Sequence, residues 1–455
     1  MCMMDNAVEL QPQPTAQPPD TPDRTCRQCS RDEIPGACAI QDKGAIPPLE
    51  KWNASSRNIT RIVAVCWSFL IVGMSDGAVG ALIPYFKTYY RLSETIVSLI
   101  FLSPVVGYVL AALASHNLHT QFGQKGTAFL APVCHTASYV VNCLHPPFPV
   151  VVVAFVFTGI GNGLEESAWN AWLGNMENPN ELLGILHGVY GAGALMGPLI
   201  ATSLITKAHL SWWEYYYIMI GLAVTEFAAC MAAFWGADGS QFQAATFQSR
   251  ESNANTRTDL RIALSKRPYA RITWLCAIFL LGYIGIEVSL GGWIVTFMAQ
   301  VRHGSAFASG LTATGFWLGI TLGRLLLGFI TPKIGEALAI MMYVGLTIVF
   351  CLVFWLVPNF YTSAVAVAIQ GFFLGPLFPA AVVTLTRLLP RKLHLIGIGF
   401  AAAVGSGGAA ILPFVFGVVA QSAGIQVLEP FILALSVAIL LLWIGLPGIF
   451  KKHRE

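Results

Sequence analysis

The chain has 455 residues, 55% of them hydrophobic and only 11% charged, with a mean hydropathy of +0.65. A soluble domain of this length carries about 25% charged residues, so the deficit excludes a water-exposed globule. A net charge of +3 is too small to suggest nucleic acid, and the ten cysteines lack the regular spacing of a disulfide framework.

Residues 1–55, with their Gln-Pro-Gln-Pro-Thr-Ala-Gln-Pro-Pro run, have little apolar surface to bury, and a disordered cytosolic tail is expected to about residue 58. They lack the short apolar core of a signal peptide, so the first spanning helix is expected to serve as its own insertion signal. Cys26-Arg27-Gln28-Cys29 with Cys38 lacks the four ligands and supporting fold of a structural zinc site, so free thiols and no metal are expected.

From about Arg61 onward, apolar runs of about 20 residues, each enough to cross a ~30 Å hydrocarbon core, follow one another. They lie near 61–86, 93–115, 127–144, 150–173, 183–205, 213–235, 272–298, 308–330, 337–357, 361–385, 395–420 and 428–449. The polar stretch 236–271 divides them into six and six, a first bundle over 59–235 and a second over 272–450, with a short tail at 451–455. The runs are apolar all round rather than alternating, which excludes a barrel and predicts an all-α membrane protein of twelve helices.

Of the 26 Lys and Arg residues, 21 fall in the two tails and the even-numbered connections, four (Lys87, Arg91, Lys207, Arg302) in the odd-numbered ones, and Arg324 inside a helix. That asymmetry predicts that both termini are cytoplasmic. The sequons at Asn53 and Asn58 should then go unused. The halves also repeat. Gly159 and Gly163 match Gly371 and Gly375, the stretch His116–Gly123 falls opposite Gly328–Gly335, and Gly193 and Pro198 echo Gly408 and Pro413. The offset is 212 to 215 residues throughout, as in transporters built from parallel repeats around a central site.

An ionised side chain at the bilayer centre costs ~3 kcal/mol even on insertion scales, so each one needs a reason. Asp76, the adjacent pair Glu165 and Glu166, and Glu287 qualify, with Asp76 and Glu287 at related places in the two halves. They read either as cavity acids that exchange protons or as neutral or Arg-paired carboxyls that hold helices together; for Asp76 and Glu287 the functional reading is favoured. Glu165 and Glu166 point about 100° apart on a helix, so one of them is expected to face the cavity. Arg324 either pairs with such an acid or snorkels to lipid phosphate.

With these residues placed, the chain from about 60 to 450 resembles the major facilitator superfamily, specifically its fucose-permease-like branch, and in character its fungal members. The run Gly161-Asn162-Gly163-Leu164-Glu165-Glu166-Ser167-Ala168-Trp169-Asn170 is similar to that branch's Gly-x-Gly-x-x-Glu-x-x-x-Asn pattern, which implies Glu166 as the proton-coupling acid with Asn170 one turn on. Gly285-Ile286-Glu287 with Trp293 resembles the branch's seventh-helix Gly-x-Gln run and its later aromatic, and Gly323-Arg324 a family Gly-Arg pair. The segment Gly328–Gly335, with Lys333, is similar to the superfamily gate motif, though Pro332 stands where the motif has Asp. Asp76 lies eight residues before Pro84, rather than four as in the permeases.

Gly193–Pro198 resembles part of an antiporter motif, but close packing through small residues is the favoured reading. His187 is a candidate cavity histidine or a packed one. Trp169, Trp172 and Trp293 could stack on solute or anchor interfaces, and Trp293 is kept as a contact. The pair His116-x-x-His119 lacks a third ligand and reads as a loop. A nucleotide loop with its Lys is missing, and no nucleophile with its base stands out, which argues against an ATP-driven pump or an enzyme.

The expectation is therefore a proton-coupled secondary transporter of a small organic solute, sugar-like or a secondary metabolite, in a lipid bilayer, working as a monomer without cofactors. Glu166, Asp76 and Glu287 would handle protons, Asn170, Trp293 and His187 would touch solute, and Arg324, Lys333 and Gly335 would gate. A plasma membrane is expected, with the vacuole or another internal membrane as alternatives. The competing reading is a non-transporting sensor or scaffold that retains the fold.

Overall fold

The computed structural model describes residues 50–237, 261–390 and 393–446, apart from the side chains of Asn180 and Leu395. Among the described residues twelve long helices follow one another: α1 (Ser56–Tyr90), α2 (Glu94–Phe122), α3 (Gln124–Cys143), α4 (Phe148–Gly174), α5 (Pro179–Thr206), α6 (Tyr215–Phe234), α7 (Tyr269–Gln300), α8 (Ala306–Ile334), α9 (Glu336–Leu356), α10 (Phe360–Leu388), α11 (His394–Ala423) and α12 (Leu428–Ile444). Eleven are long and apolar enough to cross a membrane. The other, α3, carries Gln124, Lys125, His135 and Asn142 among its 20 residues, and its polar face packs inward against α4 and α6. No strand is formed among the described residues; a single bridge joins Glu50 to Met176.

Local chemistry sets several ends. The Ser55 hydroxyl accepts from the Asn58 N–H at 3.1 Å and starts α1 a turn before Arg61. Gly123 and Gly335, 212 residues apart, both take positive φ (64° and 94°) at the α2–α3 and α8–α9 junctions, where a side chain would be strained. In α10, Pro376 and Pro379 withhold two backbone donors and interrupt the helix at Gly375–Pro376.

Glycines let the helices of each half cross at backbone contact. A Cβ at Gly193 of α5 would stand 2.1 Å from the Leu70 carbonyl oxygen of α1, and one at Gly408 of α11 would stand 2.0 Å from that of Leu281 in α7. Gly159 meets the Pro104 carbonyl of α2, and its repeat mate Gly371 meets the Phe316 carbonyl of α8. The matched glycines thus perform matched crossings in two six-helix halves, and Gly193–Pro198 is a packing feature.

The halves meet through α1 with α7, α5 with α8 and α2 with α11. Gly80 touches the Gly291 carbonyl, Gly310 faces Thr202, the Lys207 ammonium lies 4.4 Å from the Phe307 ring centre, and the Glu94 N–H donates to Gln421 at 2.9 Å. These contacts lie toward the end that bears the odd-numbered connections. At mid-depth an apolar gap of about 460 Å³ lies between α2 and α11, lined by residues such as Val106, Val109 and Ile411.

Several sequence boundaries move. The expected tail to residue 58 ends earlier, since the Glu50 carbonyl accepts from the Glu177 N–H and α1 begins at Ser56. Helix α2 runs on to Phe122, so His116 and His119 lie on a helix and not in a loop. The second bundle begins at Tyr269, just before the expected 272. Residues 1–49, 238–260 and 447–455, with the expected tails, most of the central loop and the tail cysteines, lie outside the described residues.

Candidate functional site

Two acids of the first half face each other across a set of hydroxyl and amide donors. Asp76, 20 residues into α1, accepts from Tyr190 of α5 at 3.1 Å and from the Asn162 amide of α4 at 3.3 Å. Glu166, one turn beyond Asn162 on the same face, accepts from Tyr108 of α2 at 3.4 Å. Both are half-buried, and no Lys or Arg pairs with either among the described residues. The expected divergence of the glutamates holds: Glu166 keeps partial exposure while Glu165 is fully buried on another face.

The second half arranges its acid differently. Glu287 of α7 accepts from Arg324 of α8 at 2.9 Å, and Tyr283, one turn earlier, donates to its other oxygen. Arg324 therefore pairs with an intramembrane acid instead of reaching lipid. Its Nε also donates to the Gly375 carbonyl at 3.3 Å, an oxygen whose usual helical donor is missing because residue 379 is proline. Three helices converge on one guanidinium.

The other sequence candidates are placed less uniformly. Asn170 is half-buried, with its amide donating to the Glu166 carbonyl at 2.8 Å. Trp293 is fully buried, donating to the Pro413 carbonyl at 3.0 Å between Phe101 and Phe416. His187 is exposed and meets Phe69 edge-on at 5.9 Å. Trp169 is buried and stacks on Phe234, so it packs α4 on α6. Lys333 is exposed in the last turn of α8, with Gly335 as the turn beyond it.

Sequence reasoning missed four features here. Tyr108, Tyr190 and Tyr283 carried no pattern that would single them out. Glu226 of α6 and Glu429 of α12, both fully buried, are further acids within the spans, and the rule that selected Asp76 could have found them. His135 of α3 is also fully buried. At the α8–α9 junction, where Pro332 replaces the motif acid, Glu336 supplies an acid four residues on and pairs with Arg387 of α10.

The Major Facilitator Superfamily profile matches residues 65–358 and 287–454. The chain belongs to this superfamily, and it is a multi-pass membrane protein. It is 30% identical over 419 residues to the Saccharomyces cerevisiae protein Bypass of stop codon protein 6, with 87% of this chain and 84% of that one aligned. It is 21% identical over 358 residues to the Bacillus subtilis glucose/mannose transporter GlcP, covering 77% of this chain and 85% of that one. In fold it is similar to the crystal structure of a D-xylose-proton symporter, with a TM-score of 0.68, 13% identity, and 87% of this chain and all of that chain covered.

Proposed function

We propose that this protein is a proton-coupled secondary transporter of a small sugar-like solute. The observation that carries this reading is the pair Asp76 and Glu166: two half-buried acids, hydrogen-bonded by tyrosine and asparagine but unmatched by a cation, beside a second half whose acid is matched by Arg324. An acid held this way changes its charge with access to water more readily than an ion-paired one. The sugar class rests on the named solutes of GlcP and of the xylose symporter.

In this reading Glu166 and Asp76 bind the transported protons. Asn170, His187 and the exposed edge of Arg324 offer polar contacts to the solute, and Glu287 positions Arg324. Trp293 supports the α7–α11 wall from behind. With both termini cytoplasmic, as proposed, the contacts of Gly80 with Gly291 and of Glu94 with Gln421 would lie toward the outer end. Glu336, Arg387, Lys333 and Gly335 then lie at the cytoplasmic gate, and the plasma membrane is the expected site of action.

The test is uptake into proteoliposomes of labelled D-glucose, D-mannose and D-xylose with and without an imposed pH gradient. Gradient-driven accumulation of at least one, abolished in Glu166→Gln, is the expected outcome. Accumulation that ignores the gradient defeats the coupling, and no flux of any of the three defeats the sugar class.

A further inference from the structure

Behind the cavity, within the first half, lies a polar cluster that the transport reading does not use. His135 of α3, Glu165 of α4 and Glu226 of α6 are all completely buried, and each brings a nitrogen or oxygen within 4.8 Å of the others. His135 Nδ1 lies 3.2 Å from both carboxylate oxygens of Glu226, and its Nε2 lies 3.0 Å from Asn162 Oδ1. The same Asn162 turns its Nδ2 to Asp76. Glu165 lies beside Glu226 and Ser68, so its carboxyl and that of Glu226 are neighbours. A Cβ at residue 161 would fall 2.3 Å from His135 Nε2, so Gly161 is the space into which the imidazole fits.

With Asp76 ionised, the bonding order sets where hydrogens sit. Asn162 then donates to the carboxylate through Nδ2, since the reversed amide would set two acceptors face to face. Its oxygen faces His135, and in that state Nε2 carries hydrogen. Nδ1 then meets Glu226 either as an imidazolium beside a carboxylate or as a neutral ring accepting from a carboxylic acid. The groups around the cluster are Asp76 and Ser68 on α1, Tyr108 on α2, Tyr139 stacked on His135 from α3, Glu166 on α4, Tyr190 on α5 and Cys230 on α6. None is a Lys or Arg. Two ionised glutamates beside a neutral histidine would leave two buried charges unmatched, so the cluster must retain a further proton.

We infer that His135, Glu165 and Glu226 form a second proton-binding cluster, sealed from the cavity, whose protonation is linked to that of Asp76 through Asn162. The inference deepens the proton-coupled reading and rests on it for its role in transport. A negative Asp76 favours the imidazolium at the far side of Asn162. Neutralising Asp76 from the cavity removes that support, so proton binding at the two places is mutually opposed. Asp76 would then titrate as part of a unit.

The experiment is pH-difference infrared spectroscopy of the carboxyl bands of purified full-length protein, without solute or gradient. Wild type, Asp76→Asn, Glu226→Gln and Asn162→Ala are compared, with thermal unfolding as the check on folding. Glu226→Gln should remove one band and shift the midpoint of the Asp76 band by about one pH unit, a tenfold change in proton affinity. Asp76→Asn should lower the Glu226 band by a similar amount, since linkage is reciprocal. In Asn162→Ala the Asp76 and Glu226 bands should no longer respond to each other. If Glu226→Gln does not fold, the Asp76→Asn arm reads the intact cluster.

Bands that titrate independently in folded variants overturn the proposal. So does a stoichiometric divalent metal in the purified protein that is lost in His135→Ala, which would make the cluster a metal site. Linked bands together with gradient-independent flux would retain the cluster and remove the coupling. Gradient-driven flux with unlinked bands would do the reverse.

Discussion

Arg324 reaches Glu287 at 2.9 Å, so the second half neutralises its deep acid from within, while Asp76 in the first half is held, among the described residues, by Tyr190 and Asn162. The pair is partly buried, and breaking one member strands the other's charge. Arg324→Ala and Glu287→Ala should each destabilise by about 3 kcal/mol, at the low end for a buried pair. The double variant should recover part of that loss. Thermal unfolding in a double-mutant cycle measures the coupling, and strictly additive losses would show that the pair is not an energetic unit.

Glu166→Gln keeps the volume and the Tyr108 contact but removes the charge. It should abolish gradient-driven accumulation by more than tenfold while leaving solute exchange at equal pH on both sides largely intact. Counterflow and accumulation measured on the same vesicles separate the two. A parallel loss in both would assign Glu166 to solute binding or to folding.

The glycine crossings make a paired prediction about stability. Gly319 stands where a Cβ would meet the Ala368 carbonyl at 2.0 Å, whereas Gly345 in α9 has nothing within 4 Å. Gly319→Ala should cost about 2 kcal/mol, as overpacking does, and lower the unfolding temperature. Gly345→Ala should be neutral or stabilising by ~0.5 kcal/mol from helix propensity.

Asn58 is buried, and its amide lies within hydrogen-bond reach of the Lys51 carbonyl, in the first turn of α1. It should carry no glycan, and the proposed cytoplasmic amino terminus predicts none at Asn53 either. Mobility on a gel unchanged by endoglycosidase is the expected result. A shift would place the amino terminus on the opposite side of the membrane.

The helices were legible in the sequence because a spanning segment must be apolar for about 20 residues regardless of its neighbours. Their ends were less so. Ser55 and Gly123 set them through single hydrogen bonds or dihedrals, and the end of α2 was misplaced where His116 to Phe122 continues the helix. Asp76, Glu166 and Glu287 were visible as isolated charges in apolar runs. The partner of Arg324 was not, since an ion pair between α7 and α8 depends on how two helices rotate toward each other. The tyrosines were invisible for a related reason: their hydroxyls matter only once an acid comes within reach. Glu226 and His135 were overlooked although the same rule applied to them, because α3 and α6 offered no motif to draw the eye.

One feature of the interface bears on speed. At Gly80 and Gly291 the two halves touch backbone to backbone, with no side chain from either residue projecting across. Ridges that interlock must climb over one another when helices turn, and each climb adds to a barrier. A smooth point of contact behaves as a bearing: α1 and α7 can swivel about it without first separating. Rates of reorientation would then be governed by the outer contacts, such as Lys207 on Phe307 and Glu94 with Gln421, which act as friction at a distance from the axle.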